Sequence, residues 1–309
     1  MDPLSDVLSL LKPRSYMVRG FDVAAPWAVR FGRHVDGIKF YAITAGQGWL
    51  RVEGVAEPVA IAAGDCFLLP TGRPFSLASG LDAPILDGEA IDWGGGNGGV
   101  AVLGGGGDCF GIGGYFTFDS GHAGLLLEVL PPIVHIAKEA DKAALRASLQ
   151  QMMLELREPR PGGFLMAQHL AHMMLVQALR LYLAEGSNGA VGWLFALADR
   201  QMSTAIGAMH ADPARRWTLQ ALAEVAGMSR SSFAVKFKQT VGSSPMDYLT
   251  RWRMLLAGER LSQASEPVSA IALSLGYESE SAFSTAFKRV MGCSPRQHGR
   301  GRTPLRQAA

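Results

Sequence analysis

Cysteine is scarce in this sequence, which contains three, Cys66, Cys109 and Cys293, in 309 residues. The number is odd, the spacing is wide and no CxxC motif occurs. These features exclude a disulfide framework and are typical of a protein in a reducing cytosol. A redox-sensing pair of Cys66 and Cys109 is the alternative to buried, inert thiols.

The sequence also lacks the segments that carry a chain into or across a membrane. Its first residues, MDPLSDVLSLLKPRS, begin with acidic side chains and have no cationic n-region, which argues against a signal peptide. No uncharged apolar run reaches the roughly 18 residues of a membrane-spanning helix. We therefore expect a cytoplasmic protein without a membrane partner.

Net charge is small, at +2, but it is unevenly distributed along the chain. Residues 209–309 contain 14 Lys and Arg against 7 Asp and Glu, whereas the other 208 residues contain 15 against 20. A basic C-terminal third on an acidic body indicates that this third binds a polyanion. The length favours two domains.

Short strand-like segments occupy residues 21–136. KFYAIT, WLRVEG, EPVAIAAGD and CFLLP are rich in β-branched and aromatic residues and are separated by Gly, Pro and Asp, which predicts an antiparallel sandwich or barrel. The stretch DWGGGNGGVAVLGGGGDCFGIGGYFTF contains a GxGxxG-like spacing, but no strand-turn-helix context surrounds it. We therefore predict Gly-rich hairpin loops there and not a nucleotide cradle.

Helical periodicity begins after Pro132, in KEADKAALRASLQQMMLELREP and GFLMAQHLAHMMLVQALRLYLAEG. The second segment is apolar over most of its circumference, which predicts burial in its own domain or against a partner subunit. The two helices, 139–157 and 164–185, are therefore our candidates for a homodimer contact. His169 and His172 are spaced for a shared metal, but without a nearby third ligand we interpret them as ordinary packed or exposed histidines.

The segment GSNGAVG has the composition of a linker, and the chain beyond it is predicted to be entirely helical. We expect helices at 193–210, 218–226, 230–241, 245–262, 268–275 and 280–290, and a short turn near Pro295. Thr218 is a candidate N-cap. Ser244-Pro245 and Ser294-Pro295 each place an N-cap serine before proline at the first helical position.

A repeat lies within this helical part, where GMSRSSFAVKFK returns as GYESESAFSTAFK. The matching pairs are 49 or 50 residues apart and comprise Ala223 and Ala272, Gly227 and Gly276, Phe233 and Phe283, Phe237 and Phe287, Gly242 and Gly292, and Pro245 and Pro295. A short helix, a glycine turn and a second helix, used twice, predict two helix-turn-helix units. The small alanine and glycine allow the helices to cross closely.

The shared and the differing residues of the repeat have separate roles. Each phenylalanine pair lies on one helical face and is predicted to form the core. The opposite faces are predicted to contact DNA, through Arg230, Ser231, Ser232, Ala234, Val235, Lys236 and Lys238 in the first copy and Glu280, Ser281, Ser284, Thr285 and Lys288 in the second. Merely solvated helix faces are the alternative, but two units in register within a basic segment favour DNA binding.

Residues 194–300 closely resemble the AraC/XylS-type transcriptional regulators, as WTLQALAEVAGMSRSSFAVKFKQTVGSSPMDYLTRWRM and PVSAIALSLGYESESAFSTAFKRVMGCSP show. The resemblance implies two helix-turn-helix subdomains bridged by a long helix, here 245–262, with recognition helices at 229–241 and 279–290. The family often has Arg or another polar residue where this chain has Ala234 and Val235. Base contacts at these two positions are therefore expected to be apolar.

The N-terminal part resembles, less tightly, the cupin-like sensor domain of many such regulators. FYAITAGQGWLRVEG and AAGDCFLLPTGRPFSL are similar to the two cupin motifs, and Tyr41 and Phe75 stand at about the positions of the metal-binding histidines. The resemblance thus implies a binding barrel without a metal or other cofactor. The candidate effector residues on the motif strands are Phe40, Tyr41, Trp49, Arg51, Phe67 and Phe75. Arg51 is either the partner of an anionic effector or a solvated strand arginine.

Together these patterns predict an α+β protein: a cupin-like antiparallel β-barrel for effector binding at 1–136, a helical connector at 137–190 and an all-α DNA-binding domain at 191–309. We expect a homodimeric transcriptional regulator, not an enzyme, that binds double-stranded promoter DNA and a small-molecule effector and contacts RNA polymerase. The alternatives are a regulator whose barrel is only structural, and a cupin-type dioxygenase or isomerase with an appended helical domain.

Overall fold

The computed structural model describes residues 2–33, 37–91, 99–118, 127, 130–158, 160–184, 191–263 and 266–300. The chain divides into two units, one formed by Lys12–Glu185 and the other by Met1–Leu11 together with Gly186–Ala309. Most of the predicted linker, 186–192, lies outside the described residues. The same holds for the first glycine cluster, 94–99, of which only Gly99 is described.

The first unit is built on strands. In chain order they are β1 (Pro13–Val23), β2 (Ala28–Phe31), β3 (Gly37–Ala45), β4 (Gln47–Val52), β5 (Val59–Ala62), β6 (Cys66–Leu69), β7 (Phe75–Ala78), β8 (Ile85–Asp87), β9 (Val100–Leu103), β10 (Cys109–Phe118) and β11 (Val134–Ile136). They form a six-stranded sheet in the order β11-β6-β3-β10-β1-β9 and a five-stranded sheet in the order β5-β4-β7-β2-β8.

The two sheets share one apolar core, as expected for a sandwich. The six-stranded sheet supplies Tyr41, Ile43 and Phe67 to this core, and the five-stranded sheet supplies Leu50 and Leu77. The pairings are mostly antiparallel, but β1 with β9 and β2 with β8 are parallel, so the prediction of a purely antiparallel arrangement was wrong at these pairs. The described strands form two separate sheets, and closure into a barrel is not confirmed.

The second glycine cluster divides between a turn and a strand. Gly104, Gly105, Gly106 and Gly107 lie in the turn between β9 and β10. Gly111, Gly113 and Gly114 lie inside β10, and the prediction of hairpin loops was wrong for these three. CFGIGGYFTF forms β10, which pairs with β1 on one side and β3 on the other. Glycine weakens an isolated strand, but in a sheet it also marks a place where another group approaches closely.

Two helices follow the sheets in the same unit, α2 (Glu139–Arg157) and α3 (Gly163–Ala184). Asp65, at the start of β6, anchors α2 because its buried carboxylate lies 2.8 Å from Lys142 Nζ. The same carboxylate lies 3.0 Å from His135 Nε2 on β11. The carboxylate of Asp65 thus contacts side chains of both β11 and α2.

The two histidines of α3 contact backbone carbonyl oxygens. His169 Nδ1 lies 2.7 Å from Leu165 O, and His172 Nδ1 lies 2.8 Å from Gln168 O. His172 Nε2 contacts the carbonyl of Pro13. Among the described residues no group of three or more His, Cys, Asp or Glu is placed to hold a metal ion.

The second unit is helical. It contains α1 (Pro3–Leu11), α4 (Trp193–Ala196), α5 (Arg200–Ala211), α6 (Leu219–Val225), α7 (Arg230–Val241), α8 (Pro245–Ser262), α9 (Val268–Ser274), α10 (Glu280–Met291) and α11 (Pro295–Arg300). The predicted caps are confirmed: Thr218, Ser244 and Ser294 each accept a hydrogen bond from a backbone N–H three residues on.

The N-terminal helix α1 packs on the C-terminal helices α5 and α8, which sequence reasoning did not anticipate. Its Asp6 Oδ2 lies 3.4 Å from Nδ1 of the buried His210. The His210 ring stacks on Trp252, with 3.8 Å between the centroids, and its Nε2 lies 2.8 Å from the Tyr248 hydroxyl. None of the described helices is long and apolar enough to cross a membrane.

Candidate nucleic-acid interface and effector cavity

Each copy of the repeat folds as a helix, a tight turn and a second helix. In the first copy, α6 ends at Val225 and is followed by Gly227, whose φ of 64° lies in the left-handed region that glycine adopts without strain. The Met228 N–H donates to Ala223 O across this turn. Ser229 then caps α7 by accepting from the Ser232 N–H.

The second copy repeats this geometry. Gly276 has a φ of 79°, and the Tyr277 N–H donates to Ala272 O. Glycine is required here for two reasons: the positive φ, and the lack of space for a Cβ, which at 276 would lie 2.2 Å from the carbonyl oxygen of Ala214. Ser279 caps α10 by accepting from the Ala282 N–H.

The two second helices also bury the same positions. From the second residue of each helix onward, exposed, intermediate and buried side chains follow one another in the same order through 231–240 and 281–290. Phe233, Phe237, Phe283 and Phe287 are all fully buried, as the spacing of the repeat predicts. Each helix ends at a glycine with positive φ, Gly242 or Gly292.

The outward faces carry most of the predicted DNA-binding residues. Ala234 and Ser284 are half-buried at equivalent places, and the exposed members are Arg230, Ser231, Ser232, Val235, Lys238, Glu280, Ser281, Thr285 and Lys288. Lys236 differs, since its ammonium group lies 2.6 Å from Asp199 Oδ2 and donates to Gln201 Oε1 at the start of α5. The positive charge of Lys236 is therefore partly neutralised within the protein.

The connecting helix α8 has 18 residues, as predicted, and contributes to the cores of both copies. Tyr248, near its start, contacts Phe237 of the first copy edge to face. Met254 and Leu261 belong to the core of the second copy. Arg253 donates to the carbonyl oxygens of Pro213 and Arg215, so it holds the structure together and is not available as a phosphate contact.

A cavity of about 440 Å³ lies in the strand unit. Its wall is mainly apolar and aromatic, and comes from strands of both sheets. The lining side chains include Phe21, Trp27, Val29, Phe31, Tyr41 and Leu77. Such a mostly apolar recess with a few polar groups is the usual form of a small-molecule site.

Several aromatic rings of this wall pack directly against the backbone of a glycine, where any other residue would place a Cβ. A Cβ at Gly113 would lie 2.6 Å from Tyr41 Cε1, and one at Gly111 would lie 2.4 Å from Phe21 Cζ. On the other sheet, a Cβ at Gly88 would lie 2.7 Å from Phe31 Cε1. The glycine-rich strand β10 is therefore explained by the aromatic rings that it supports.

One cationic side chain, Lys39, is buried in the cavity wall and is only 8% exposed. Its Nζ lies 4.7 Å from the ring centroid of Phe31 and 4.9 Å from that of Phe75. Burial lowers the pKa of Lys39 to about 8, because removal from water disfavours the ammonium form, and the charge of Glu89 opposes the shift. Arg19 and Glu89 also line the cavity.

The predicted effector residues lie in three different places: at the cavity and its core, on the other face of the sheet, and at the protein surface. Tyr41 lines the cavity, and Phe67 and Phe75 pack around it in the core. Phe40 points to the other face of its sheet, where its ring contacts Phe116. Trp49 is half-buried, and Arg51 is exposed in a separate outer groove.

Sequence analysis missed Lys39, although one signal was available for it. Alternate residues of a strand face the same side, so Lys39 had to share the inward face of Tyr41. Trp27, just before β2, and Phe31, at its end, were missed as well, because β2 was not recognised as a strand. Nothing in the sequence showed that this strand would face Tyr41.

The positions where metal-binding cupins carry histidine do not fit a metal here. Tyr41 is stacked on Phe67, with 5.4 Å between the ring centroids, and Phe75 is stacked on Phe31. Burial raises the pKa of the Tyr41 phenol well above its usual value, so this group is not available as a phenolate ligand.

The thiols of the strand unit are poorly suited to redox sensing. Burial raises the pKa of Cys66 to about 12 and that of Cys109 to about 11, and neighbouring aspartates add to both shifts. The thiolate is the reactive form of cysteine, so both groups are inert at neutral pH. The structure thus agrees with buried, free cysteines.

Comparison with known proteins matches both parts of the chain. Residues 2–184 match the cupin family and residues 222–301 match a helix-turn-helix domain family. An AraC-like transcription regulator of Streptomyces antibioticus is 44% identical over 296 residues, covering 96% of this chain and 97% of the relative. Its counterpart in Streptomyces lividans is 43% identical over the same shares.

Solved structures are similar at lower identity. A crystal structure of ToxT from Vibrio cholerae is 15% identical, with a TM-score of 0.37, and the match covers 94% of this chain and 98% of that one. The two Streptomyces relatives cover nearly the whole chain, and their names are those of regulators, not enzymes. The chain is therefore a member of the cupin-containing, AraC-like transcriptional regulators, DNA-binding proteins that control transcription.

Proposed function

We propose that α7 and α10 are the recognition helices of this regulator and enter the major groove of promoter DNA. The observation that carries the proposal is the repeat itself: the same positions are buried in both helices, while the outward positions differ. Equivalent buried phenylalanine pairs, Phe233 with Phe237 and Phe283 with Phe287, anchor the two helices in the same way. Different outward residues then allow each helix to contact different bases.

The connecting helix supports this arrangement. An α-helix rises about 1.5 Å per residue, so the 18 residues of α8 span about 27 Å and separate the two copies by a distance of the same order as one turn of B-DNA, about 34 Å. Lys238 and Lys288 are exposed at equivalent places near the ends of the two recognition helices. There they supply the positive charge that phosphates attract.

Mapping of the DNA bound by the full-length protein across its genome tests the proposal. Two short sequence elements, about one helical turn apart, are expected in the bound sites. Binding spread evenly over unrelated sequences would contradict it. A variant that carries Arg230→Ala and Thr285→Ala together is expected to keep the fold and to bind sites in which a guanine position is relaxed.

We also propose that a small-molecule effector occupies the cavity beside Lys39. The cavity is walled by apolar rings, and a cation is held inside it, although a core that served only for stability gains nothing from a buried lysine. A regulator with a purely structural strand unit is the alternative. A metabolite screen by thermal shift separates the two, because a ligand of the folded state raises its stability.

Two further parts of the proposal concern assembly. Apolar side chains are exposed on α2 and α3, namely Leu154, Phe164, Leu165, Met166 and Met173, and we propose that a second copy of the chain covers them. Light scattering of Phe164→Glu against wild type tests this, since a monomeric variant is expected.

Contact with RNA polymerase, and action in the cytoplasm where promoter DNA lies, remain predictions.

A further inference from the structure

We propose that the outer face of the five-stranded sheet carries a second ligand site, separate from the cavity between the sheets. Its ligand is a small phosphate monoester with a flat ring, the chemistry of a nucleoside monophosphate. The site is the groove of about 510 Å³ that Arg30, Arg51 and Ser76 line. Two guanidinium groups and a hydroxyl group bind the phosphate there, and the neighbouring Trp49 contacts the ring.

Strand pairing brings the two arginines to either side of one serine. Arg51 on β4 pairs with Ser76 on β7, and Ser76 pairs with Arg30 on β2. Neighbouring strands lie about 4.8 Å apart, so the two arginine backbones are about 10 Å apart, a distance that two extended side chains can close around one tetrahedral group. The adjacent residues Leu50 and Leu77 belong to the apolar core, so the polar side chains of β4 and β7 point away from it.

Both guanidinium groups are available to an anion. Arg30 and Arg51 are exposed, and within the described part of the chain neither makes an ion pair or a side-chain hydrogen bond. Asp87 pairs with Arg30 along the backbone, but its carboxylate accepts from the Glu89 N–H at 3.0 Å. Two unpaired guanidinium groups in one groove repel each other, and a bound anion between them turns this repulsion into attraction.

The donors of the groove suit a phosphate monoester better than a carboxylate. A carboxylate has two oxygens in one plane, and a single arginine fork already matches it. A phosphate monoester carries a charge of about −1.5 to −2 at pH 7 and has three free oxygens, so it accepts from both guanidinium groups and from the Ser76 hydroxyl together. Glu53 also lines the groove and repels a second anionic group, so the rest of the ligand is neutral.

An apolar surface continues from the arginines along the same face of the sheet. Arg51 and Ser76 line both the groove and a small recess beside it, which Trp49 also lines. Trp49 lies two residues before Arg51 on β4, so the two side chains leave the same face about 7 Å apart. The indole is half-buried, and the nearby Ile85 is 64% exposed. A flat ring attached to the bound phosphate can therefore stack on Trp49.

Calorimetry on the full-length protein at pH 7 and low salt tests the proposal with 5′-AMP as probe. Adenosine has the same ring without the phosphate, and ribose 5-phosphate has the phosphate without the ring. We expect 5′-AMP to bind about tenfold more tightly than either comparison compound. Equal binding of adenosine overturns the phosphate contact, and equal binding of ribose 5-phosphate overturns the ring contact.

Variants identify the residues that bind the phosphate. Arg30→Met and Arg51→Met each remove one guanidinium group from an exposed position, and each is expected to weaken 5′-AMP binding about tenfold without disturbing the core. Ser76→Ala removes one hydroxyl donor and is expected to weaken binding about two- to tenfold, as for the loss of a single hydrogen bond. Arg180→Met, at an exposed position of α3, is the matched control and is expected to bind 5′-AMP as the wild type does.

Two results overturn the proposal outright. One is 5′-AMP binding that Arg30→Met and Arg51→Met both leave unchanged, which would place the phosphate elsewhere, for instance on the exposed lysines of the recognition helices. The other is no binding of 5′-AMP up to millimolar concentration. Promoter binding by the same preparation separates the proposal from the proposed function, because intact DNA binding without 5′-AMP binding refutes only the site in the outer groove.

Discussion

The aromatic ring of Tyr41 rests on the bare backbone of Gly113: a Cβ built at residue 113 would lie 2.6 Å from Tyr41 Cε1. The two residues are direct partners in the pairing of β3 with β10. A side chain at 113 therefore displaces the ring that forms part of the cavity wall. The glycine preserves both the packing of the sheet and the shape of the cavity.

Gly113→Ala is accordingly expected to lower the free energy of unfolding by about 1–3 kcal/mol, the usual cost of overpacking. Chemical denaturation monitored by tryptophan fluorescence measures the change. Gly80→Ala is the matched control, because a Cβ there meets nothing within 4 Å, and is expected to be nearly neutral. Equal effects of the two substitutions would contradict the role given to Gly113.

Replacement of both Lys238 and Lys288 with alanine is expected to weaken binding to all DNA sequences. Each lysine that neutralises a phosphate releases counterions on binding, so the salt dependence of the affinity becomes shallower by about one to two units of slope. Titrations over a range of salt concentrations measure the slope. Arg146→Ala together with Arg180→Ala, at exposed positions of α2 and α3, is the charge-matched control. An unchanged slope in the double lysine variant refutes the placement.

The first recognition helix is expected to supply most of the sequence specificity. Arg230 is suited to a bidentate contact with guanine, which is worth about 1–3 kcal/mol of discrimination, and Val235 to a thymine methyl group. Ser284 and Thr285 bond less selectively, and Thr285 Oγ1 already donates to Ser281 O. Selection of sites from random DNA is expected to show a relaxed guanine position for Arg230→Ala and little change for Ser284→Ala or Thr285→Ala. The reverse pattern falsifies the assignment.

Lys39 makes stability depend on pH in the alkaline range. Its folded pKa of about 8 is below the ordinary 10.5, so the unfolded chain binds more protons between these values and stability rises with pH there. Relative to Lys39→Met, the wild type is expected to gain up to about 1.4 kcal/mol per pH unit across that window. Glu89, Arg19 and Tyr41 line the same cavity. Glu89→Gln measures how much the charge of Glu89 contributes to this pH dependence.

His210 has the corresponding effect in acid. Burial lowers its pKa from 6.5 to about 3, so the folded unit holds it neutral while the unfolded chain takes up a proton below pH 6.5. Stability is therefore fully present above pH 6.5 and is lost progressively as the pH falls towards 3. Thermal unfolding of His210→Gln is expected to depend less on pH between 4 and 6.5 than that of the wild type. Parallel pH profiles would show that His210 does not titrate in this way.

The sequence predicted the DNA-binding helices well because their signals are local. The phenylalanine spacing, the serine caps and the positive-φ glycines at 227, 242, 276 and 292 all act within a few residues of one another. A duplicated pattern also makes a chance match improbable. The same locality explains why the bounds of α7, α8 and α10 agree with the predicted ranges to within about one residue.

The cavity was harder to predict because it depends on pairs that are distant in sequence. Gly113 and Tyr41 meet only after β10 and β3 pair, and Phe31 reaches Tyr41 only after the two sheets pack. A glycine that makes room for a distant ring looks, in the sequence, like a glycine in a turn. Lys39 was overlooked for a different reason, since a single lysine within an apolar strand resembles an exposed one.

The association of α1 with α5 and α8 makes the helical unit discontinuous along the chain. Leu4, Val7, Leu10 and Leu11 are buried in a unit whose other residues begin only at 186, and Lys12 separates α1 from β1. A fragment that starts at residue 191 lacks these side chains and leaves part of the α5 and α8 surface without its apolar cover. Fusing the first eleven residues to such a fragment through a flexible linker is therefore expected to raise its stability.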